Sequence, residues 1–193
     1  MLIKNDFEVA APVGKVWDFF GNIPQVATCL PGTQLTEDLG DDKYKGQVAI
    51  RMGPVRLQFA GRANITERDE AAHKIVVDAS GAEAKGRGQA SMVVTATLAQ
   101  AGRGTRISVT QDLQLAGAAA QYGRGMITDV SSVLMSDFAH NLADRIGRLE
   151  RGESLDGAAA QTASGFALGV RAARMALMRV FRRFFLPYRA TAS

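Results

Sequence analysis

The sequence predicts an α+β fold in which a curved antiparallel sheet of about seven strands wraps a long C-terminal helix. Three observations predict it. Short segments between Ile3 and Leu115 alternate apolar and polar residues and are separated by turn dipeptides. Two brief helical patterns interrupt this series after the first strand, and from Ala118 the period becomes helical and stays so to about Glu150. A strongly curved antiparallel sheet cannot leave its concave apolar face wet, and the last helix is the only element long enough to cover it.

Each element follows from its residues. Ile3, Asn5, Phe7 and Val9 alternate with Lys4, Asp6 and Glu8, as in a strand with one buried face. Pro12 then opens a short helix, where its missing N–H costs nothing, and Val13, Val16, Trp17 and Phe20 share one side of it. Residues 22–30 form a second brief helix, stopped by Pro31-Gly32. Strands follow over 33–38, then with Tyr44, Val48, Ile50 and Met52 on one face, then with Val55, Leu57, Phe59 and Ile65 on the next. Gly40-Asp41-Asp42 and Gly53-Pro54 supply the turns. Three more runs, 74–79, 90–98 and 105–115, complete the meander, the last two with Met92, Val94, Ala96 and Leu98 and with Ile107, Val109, Leu113 and Leu115 in register. Short connections make neighbours antiparallel. The final helix carries Tyr122, Met126, Val130, Val133, Leu134, Phe138, Leu142, Ile146 and Leu149 as its apolar stripe. This element order is the helix-grip arrangement.

The chain has 193 residues, 47% of them apolar and 22% charged, which suits one domain with an appendage. Its single cysteine, Cys29, excludes an internal disulfide and a multi-thiolate zinc site, so a cytoplasmic location is expected. Charges within the first eight residues leave no room for the apolar core of a signal peptide. The charge distribution is uneven. From Gly157 onward the chain holds six of its 23 basic residues and none of its 19 acidic ones, so this tail is strongly cationic and the body mildly acidic.

Residues 1–150 form the expected folded domain, and 151–165, rich in Gly, Ala, Ser and Thr, a flexible linker. Over 166–188 helical periodicity returns. Phe166, Val170, Leu177, Phe181, Phe184 and Phe185 cluster on one face, and Arg171, Arg179, Arg182 and Arg183 lie on the other. Five arginines in this stretch exclude an ordinary spanning helix, because each is costly at the bilayer centre. An in-plane helix on the inner face of the cell membrane is expected, its arginine stems reaching anionic headgroups. A helix docked on another protein has the same pattern. Nucleic acid is not an expected partner, since a duplex groove would not bury the phenylalanine face.

No catalytic or metal site is predicted. His73 and His140 have no ligand spacing and no orienting carboxylate, and both are expected to be solvated. Cys29 reads as a small packing residue rather than a nucleophile. Gly86-Arg87-Gly88 reads as a turn or bulge, and Gly123 and Gly125 as sites of close approach, by packed sheet or by a ligand. A binding cavity is expected instead, lined by Met52, Leu57, Phe59, Met92, Val94, Leu113, Leu115, Tyr122, Met126, Val130 and Leu134, although the same pattern suits a filled core. The three methionines among them adapt to an irregular apolar guest. Gln111 falls on the apolar side of its strand, where an unpartnered amide costs about 1–3 kcal/mol. It is expected to donate to a ligand carbonyl or to find a partner in nearby backbone.

Cys29-Leu30-Pro31-Gly32, together with Gly117-Ala118-Ala119-Ala120-Gln121-Tyr122-Gly123-Arg124-Gly125-Met126-Ile127, resembles the CoxG family of carbon monoxide dehydrogenase subunits, within the SRPBCC (START-like) superfamily, over roughly residues 1–150. The resemblance implies a domain found beside molybdenum hydroxylases that carries a respiratory quinone, or a similar isoprenoid lipid, between membrane and enzyme, with no covalent cofactor. It also implies that the tail is a membrane-binding extension. The alternatives are an assembly or recruitment factor for such an enzyme without cargo, and a polyketide-cyclase-type enzyme. The last needs polar groups converging in the cavity, and the sequence offers few.

Overall fold

The computed structural model describes residues 1–52, 55–153 and 155, the side chains of Met52 and Val55 excepted. The expected amphipathic helix over 166–188, nearly all of the expected linker, and the lining role of Met52 therefore lie outside the described residues. Residues 1–153 lie within one compact unit.

The chain runs β1 (Leu2–Val9), α1 (Val13–Gly21), α2 (Ile23–Cys29), β2 (Thr33–Gly40), β3 (Lys43–Met52), β4 (Val55–Asp69), β5 (Lys74–Glu83), β6 (Gly88–Ala101), β7 (Gly104–Gly117), a single 3₁₀ turn (Ala118–Gln121) and α3 (Arg124–Glu150). The seven strands form one antiparallel sheet in the order β1-β7-β6-β5-β4-β3-β2. The predicted helix-grip fold is present. Strands β5, β6 and β7 extend beyond the expected ends, because Ser80-Gly81-Ala82 and Gly88-Gln89-Ala90 carry no apolar alternation yet keep their ladder bonds.

The expected continuous helix from Ala118 is interrupted. Gly117 adopts φ +72°, Ala118 N donates to Arg87 O at 2.6 Å, and Tyr122 is extended before α3 begins. A tertiary contact with the β5–β6 turn thus overrides the helical period. The predicted apolar stripe is also narrower than expected: Phe138, Leu142 and Ile146 are buried, whereas Met126, Val133 and Leu149 are 46%, 60% and 49% exposed. The cause is the docking of α3, which packs chiefly on β1, α1 and α2 and only along one side.

That contact zone is the dense part of the core. Val16, Cys29, Ile107 and Leu142 are wholly buried, and Phe138 meets Phe7 and Phe20 edge-on at 5.9 and 6.3 Å. Thr105, also wholly buried, donates through Oγ1 to Ala11 O at 2.7 Å. Each large side chain sealed here contributes about 1.5–3 kcal/mol.

The Cys-Leu-Pro-Gly segment belongs to this architecture. Asn141 Nδ2 of α3 donates to Cys29 O at 2.9 Å. Gly32 has φ +75°, and a Cβ there would lie 2.3 Å from Ala49 O, so only glycine lets β2 start against β3. Burial pushes the Cys29 thiol up to about 12, with Arg145 opposing weakly, so it is an inert packing group as expected. His73, by contrast, is not simply solvated: it sits at φ +44° in the β4–β5 turn, half-buried, with its ring edge-on to Trp17 at 5.3 Å.

Candidate functional site: the concave sheet face

The inner face of β3–β6 has a floor without bulk. In register, Gly46 pairs with Gly61, Gly61 with Gly81, and Gly81 with Ala90. The adjacent row places Ala63 opposite Ala79. A compact block on four strands therefore offers nothing larger than a methyl group, directly where α3 does not pack closely. This floor carries no signal in the sequence, since six small residues at scattered positions form a block only once the register is known.

Around the floor, Leu57 and Phe59 are buried and cluster with Ala119, and Val48, Ile50, Ala90, Leu115, Tyr122, Ile127 and Val130 pack against them. Of the expected lining, Met92, Val94, Leu113, Leu115, Tyr122, Val130 and Leu134 all face inward yet remain half-buried, unlike the sealed residues beside α1. Of these, Leu115, Tyr122 and Val130 pack against the Leu57–Phe59–Ala119 cluster from the open side. Met126 is not a lining residue. It is 46% exposed, and its neighbour Ile127, one step round the helix, packs against the Leu57–Phe59–Ala119 cluster instead.

One polar pair lies among these walls. Gln111 is 8% exposed, and Ser131 Oγ of α3 donates to its Oε1 at 3.2 Å. The partner is thus a side chain across the sheet-to-helix gap rather than nearby backbone. With the carbonyl oxygen so engaged, the two N–H donors of Nε2 have no partner among the described residues. The arrangement can orient one hydrogen-bond acceptor on an otherwise apolar guest.

The upper edge is fastened by a second polar device. Glu83, nearly inaccessible, accepts from Lys85 N at 2.9 Å, from Arg87 N at 3.2 Å, and from Arg87 Nε and Nη2 at 3.3 and 3.0 Å. Arg87 Nη2 also reaches Arg56 O at 3.5 Å. The Gly-Arg-Gly segment is therefore a hairpin turn, with Gly86 at φ +70°, whose arginine ties β4, β5 and the 3₁₀ turn together. The side-chain bond from Arg87 holds the Glu83 carboxyl at about 2, against an ordinary 4.5. Because the folded value is depressed, the stabilisation is complete above pH 4.5 and disappears as pH falls through about 2. Glu83→Gln should lower the melting temperature at neutral pH, and the gap from the parent protein should close over that window. A constant gap across it would show that the carboxylate charge is irrelevant.

Gly123 and Gly125 do not mark tight packing, since a Cβ at either would meet nothing within 4 Å. No group of three or more His, Cys, Asp or Glu able to hold a metal occurs among the described residues. His140 is exposed, its Nδ1 2.7 Å from Ser136 O. Two open surface clefts are present: one of about 410 Å³ between the β1 edge and α3, and one of about 590 Å³ around Arg62, Ser80 and Gln114, whose lining also includes Gly61, Gly81, Ala90 and Leu115 of the inner-face rows. No described helix is long and apolar enough to cross a membrane.

Fold and inner face together define a helix-grip domain with an accessible, almost wholly apolar concave surface. Residues 6–147 match the model of the CoxG family, described as a carbon monoxide dehydrogenase subunit, and the chain belongs to that family. No curated protein matches the sequence. Among solved structures, a conserved protein from Geobacillus kaustophilus is similar at 21% identity and a TM-score of 0.69, covering 77% of this chain and 96% of that one. The ZhuI aromatase/cyclase from Streptomyces sp. R1128 is similar at 15% identity and 0.56, covering 77% and 94%. Ginseng major latex-like protein 151 from Panax ginseng is similar at 10% identity and 0.52, covering 75% and 96%. These likenesses establish the shared helix-grip fold.

Proposed function

We propose that the chain is a non-enzymatic lipid carrier, which takes a respiratory quinone from the inner face of the cell membrane and delivers it to a molybdenum hydroxylase such as carbon monoxide dehydrogenase. The observation that carries this reading is the concave face itself: a floor of glycine and alanine, half-buried apolar walls, and the buried Gln111 amide, whose Nε2 donors have no partner among the described residues. A quinone has matching chemistry, an apolar isoprenoid chain with carbonyl acceptors at one end. The family's description as a subunit of carbon monoxide dehydrogenase supports that enzyme as the recipient. The tail would keep the carrier at the source of its cargo.

A cyclase reading finds less support, although one similar structure is an aromatase/cyclase. Gln111 and Ser131 bond to each other, and no histidine or unpaired carboxylate joins them, so a proton-transfer pair is missing among the described residues.

Filling the floor separates a carrier from an adaptor without cargo. Ala79→Leu should leave the melting temperature nearly unchanged and strip quinone from protein purified from its host, as read by native mass spectrometry. In a filled core the same change overpacks, at about 1–3 kcal/mol. Leu115→Arg should likewise abolish quinone co-purification. Unchanged quinone content in folded Ala79→Leu and Leu115→Arg variants would mean that the cavity is assigned wrongly, whereas a parent protein that never holds quinone would remove the carrier reading and favour the recruitment factor.

A further inference from the structure

The end of the grip at which β3 meets β4, β5 meets β6 and β7 meets α3 is unlike the opposite end. Antiparallel order brings these connections to one side, and the bonds from Arg87 to Arg56 O and from Ala118 to Arg87 O tie them together. This end carries Arg51, Arg56, Lys85, Arg87 and Arg124, all exposed. Its one acid, Glu83, is buried and consumed by Arg87 and two backbone N–H groups. Arg51, Arg56, Lys85 and Arg124 have no carboxylate partner among the described residues. At the other end, Asp41, Asp42, Glu67, Asp69 and Glu70 stand with Lys43, Arg68, Lys74 and Arg103, and Arg68 and Lys74 are ion-paired to Asp42 and Glu67.

Two details make the basic end more than an excess of charge. Arg51 and Arg56 are direct cross-strand partners on the outer face at the hairpin end, and such a like-charge pair is destabilising unless an anion lies near it. Arg124 stands in the first turn of α3, which has no acidic residue there and no side-chain cap, so a cation is added to the positive end of a helix. Beside these charges Met126 is 46% exposed, and the neighbouring Gly123 and Gly125 leave open space where side chains would stand. Cationic arms around an exposed thioether and bare backbone suit a flat anionic surface whose interior is apolar.

We infer that this basic rim, at the upper edge of the concave face, is a second lipid-contact surface that lays the opening against an anionic leaflet independently of the tail. The inference rests on the carrier reading and adds how the opening meets the source of cargo. A basic residue close to such a leaflet raises partition about five-fold, less at high salt.

The test uses the full chain. Met126→Cys and, at the opposite end, Glu70→Cys are each labelled with an environment-sensitive dye, while the buried Cys29 thiol stays unreactive. Vesicles of phosphatidylcholine alone are compared with mixed phosphatidylcholine–phosphatidylglycerol vesicles. On the mixed vesicles the dye at 126 should shift to the blue and be quenched by brominated acyl chains, and the dye at 70 should remain as in water. The combined variant Arg51→Gln, Arg56→Gln, Lys85→Gln and Arg124→Gln should keep its melting temperature and lose at least about ten-fold in partition. Arg103→Gln should lose nothing. If the dye at 126 stays in water while the protein sediments with vesicles, the tail alone makes contact and the inference fails. It also fails if the combined variant binds vesicles normally and loses affinity for the oxidoreductase, since the rim is then a protein-docking surface. Quinone content separates this from the carrier reading: a quinone-loaded protein whose rim stays in water overturns the docking only, and an inserted rim on a protein that never holds quinone overturns the carrier only.

Discussion

A chain ending at residue 156 is expected to lose at least about a hundredfold in affinity for anionic vesicles, the equivalent of about 3 kcal/mol. Two separable forces are removed. Burying the phenylalanine and leucine face contributes at most about 1.5–3 kcal/mol per side chain, and an interface buries each only in part. Six arginines contribute about 1 kcal/mol each near an anionic leaflet, reduced by salt. Phe181→Asp with Phe184→Asp should therefore abolish most binding at any salt. Arg→Gln at positions 171, 179, 182 and 183 should weaken binding chiefly to anionic vesicles. Co-sedimentation decides between them: if the truncated chain pellets as well as the intact one, the tail is not the anchor, and its apolar face belongs against a protein.

Gly61→Ala is expected to be the most damaging single methyl addition in the sheet, at about 3 kcal/mol or more. A Cβ at Gly61 would lie 1.9 Å from Ser80 O and 2.5 Å from Gly81 Cα, and backbone on both sides must move to admit it. The paired Gly81 is tighter than ordinary contact but less extreme, with 2.9 Å to Ala60 O, so Gly81→Ala should cost less. Gly125→Ala should do the opposite and stabilise by about 1 kcal/mol, because it sits in a helix with free space around it. Urea denaturation of the three variants checks the order. A Gly61→Ala protein with an unchanged midpoint would mean that the sheet relaxes at this bend without cost.

The fold was legible because its signals are local. Ile3 to Val9, Tyr44 to Ile50 and Ile107 to Leu115 alternate cleanly, and the change of period after Leu115 marks the covering helix. The alternation also placed Gln111 indoors, the sequence read Cys29 as a packing residue, and the structure agrees on both. Where small residues replaced apolar ones, as over Ser80-Gly81-Ala82, the strand continued without a pattern to announce it.

What the sequence by itself determined is the order of elements, the inward set of each strand, the family, and a cationic tail set against an acidic body. Only the tertiary structure decided which inward residues are sealed and which remain reachable. That depends on where α3 docks: against β1, α1 and α2 it buries Leu142 completely, and it leaves Leu115 and Val130 half-open over the glycine floor. It also decided that Gly117 would bend onto Arg87 and break the helical period, that Met126 would stand on the rim, and that Ser131 would answer Gln111. Each of these joins residues distant in the chain, and periodicity, which reads only neighbours, holds no information about such pairs.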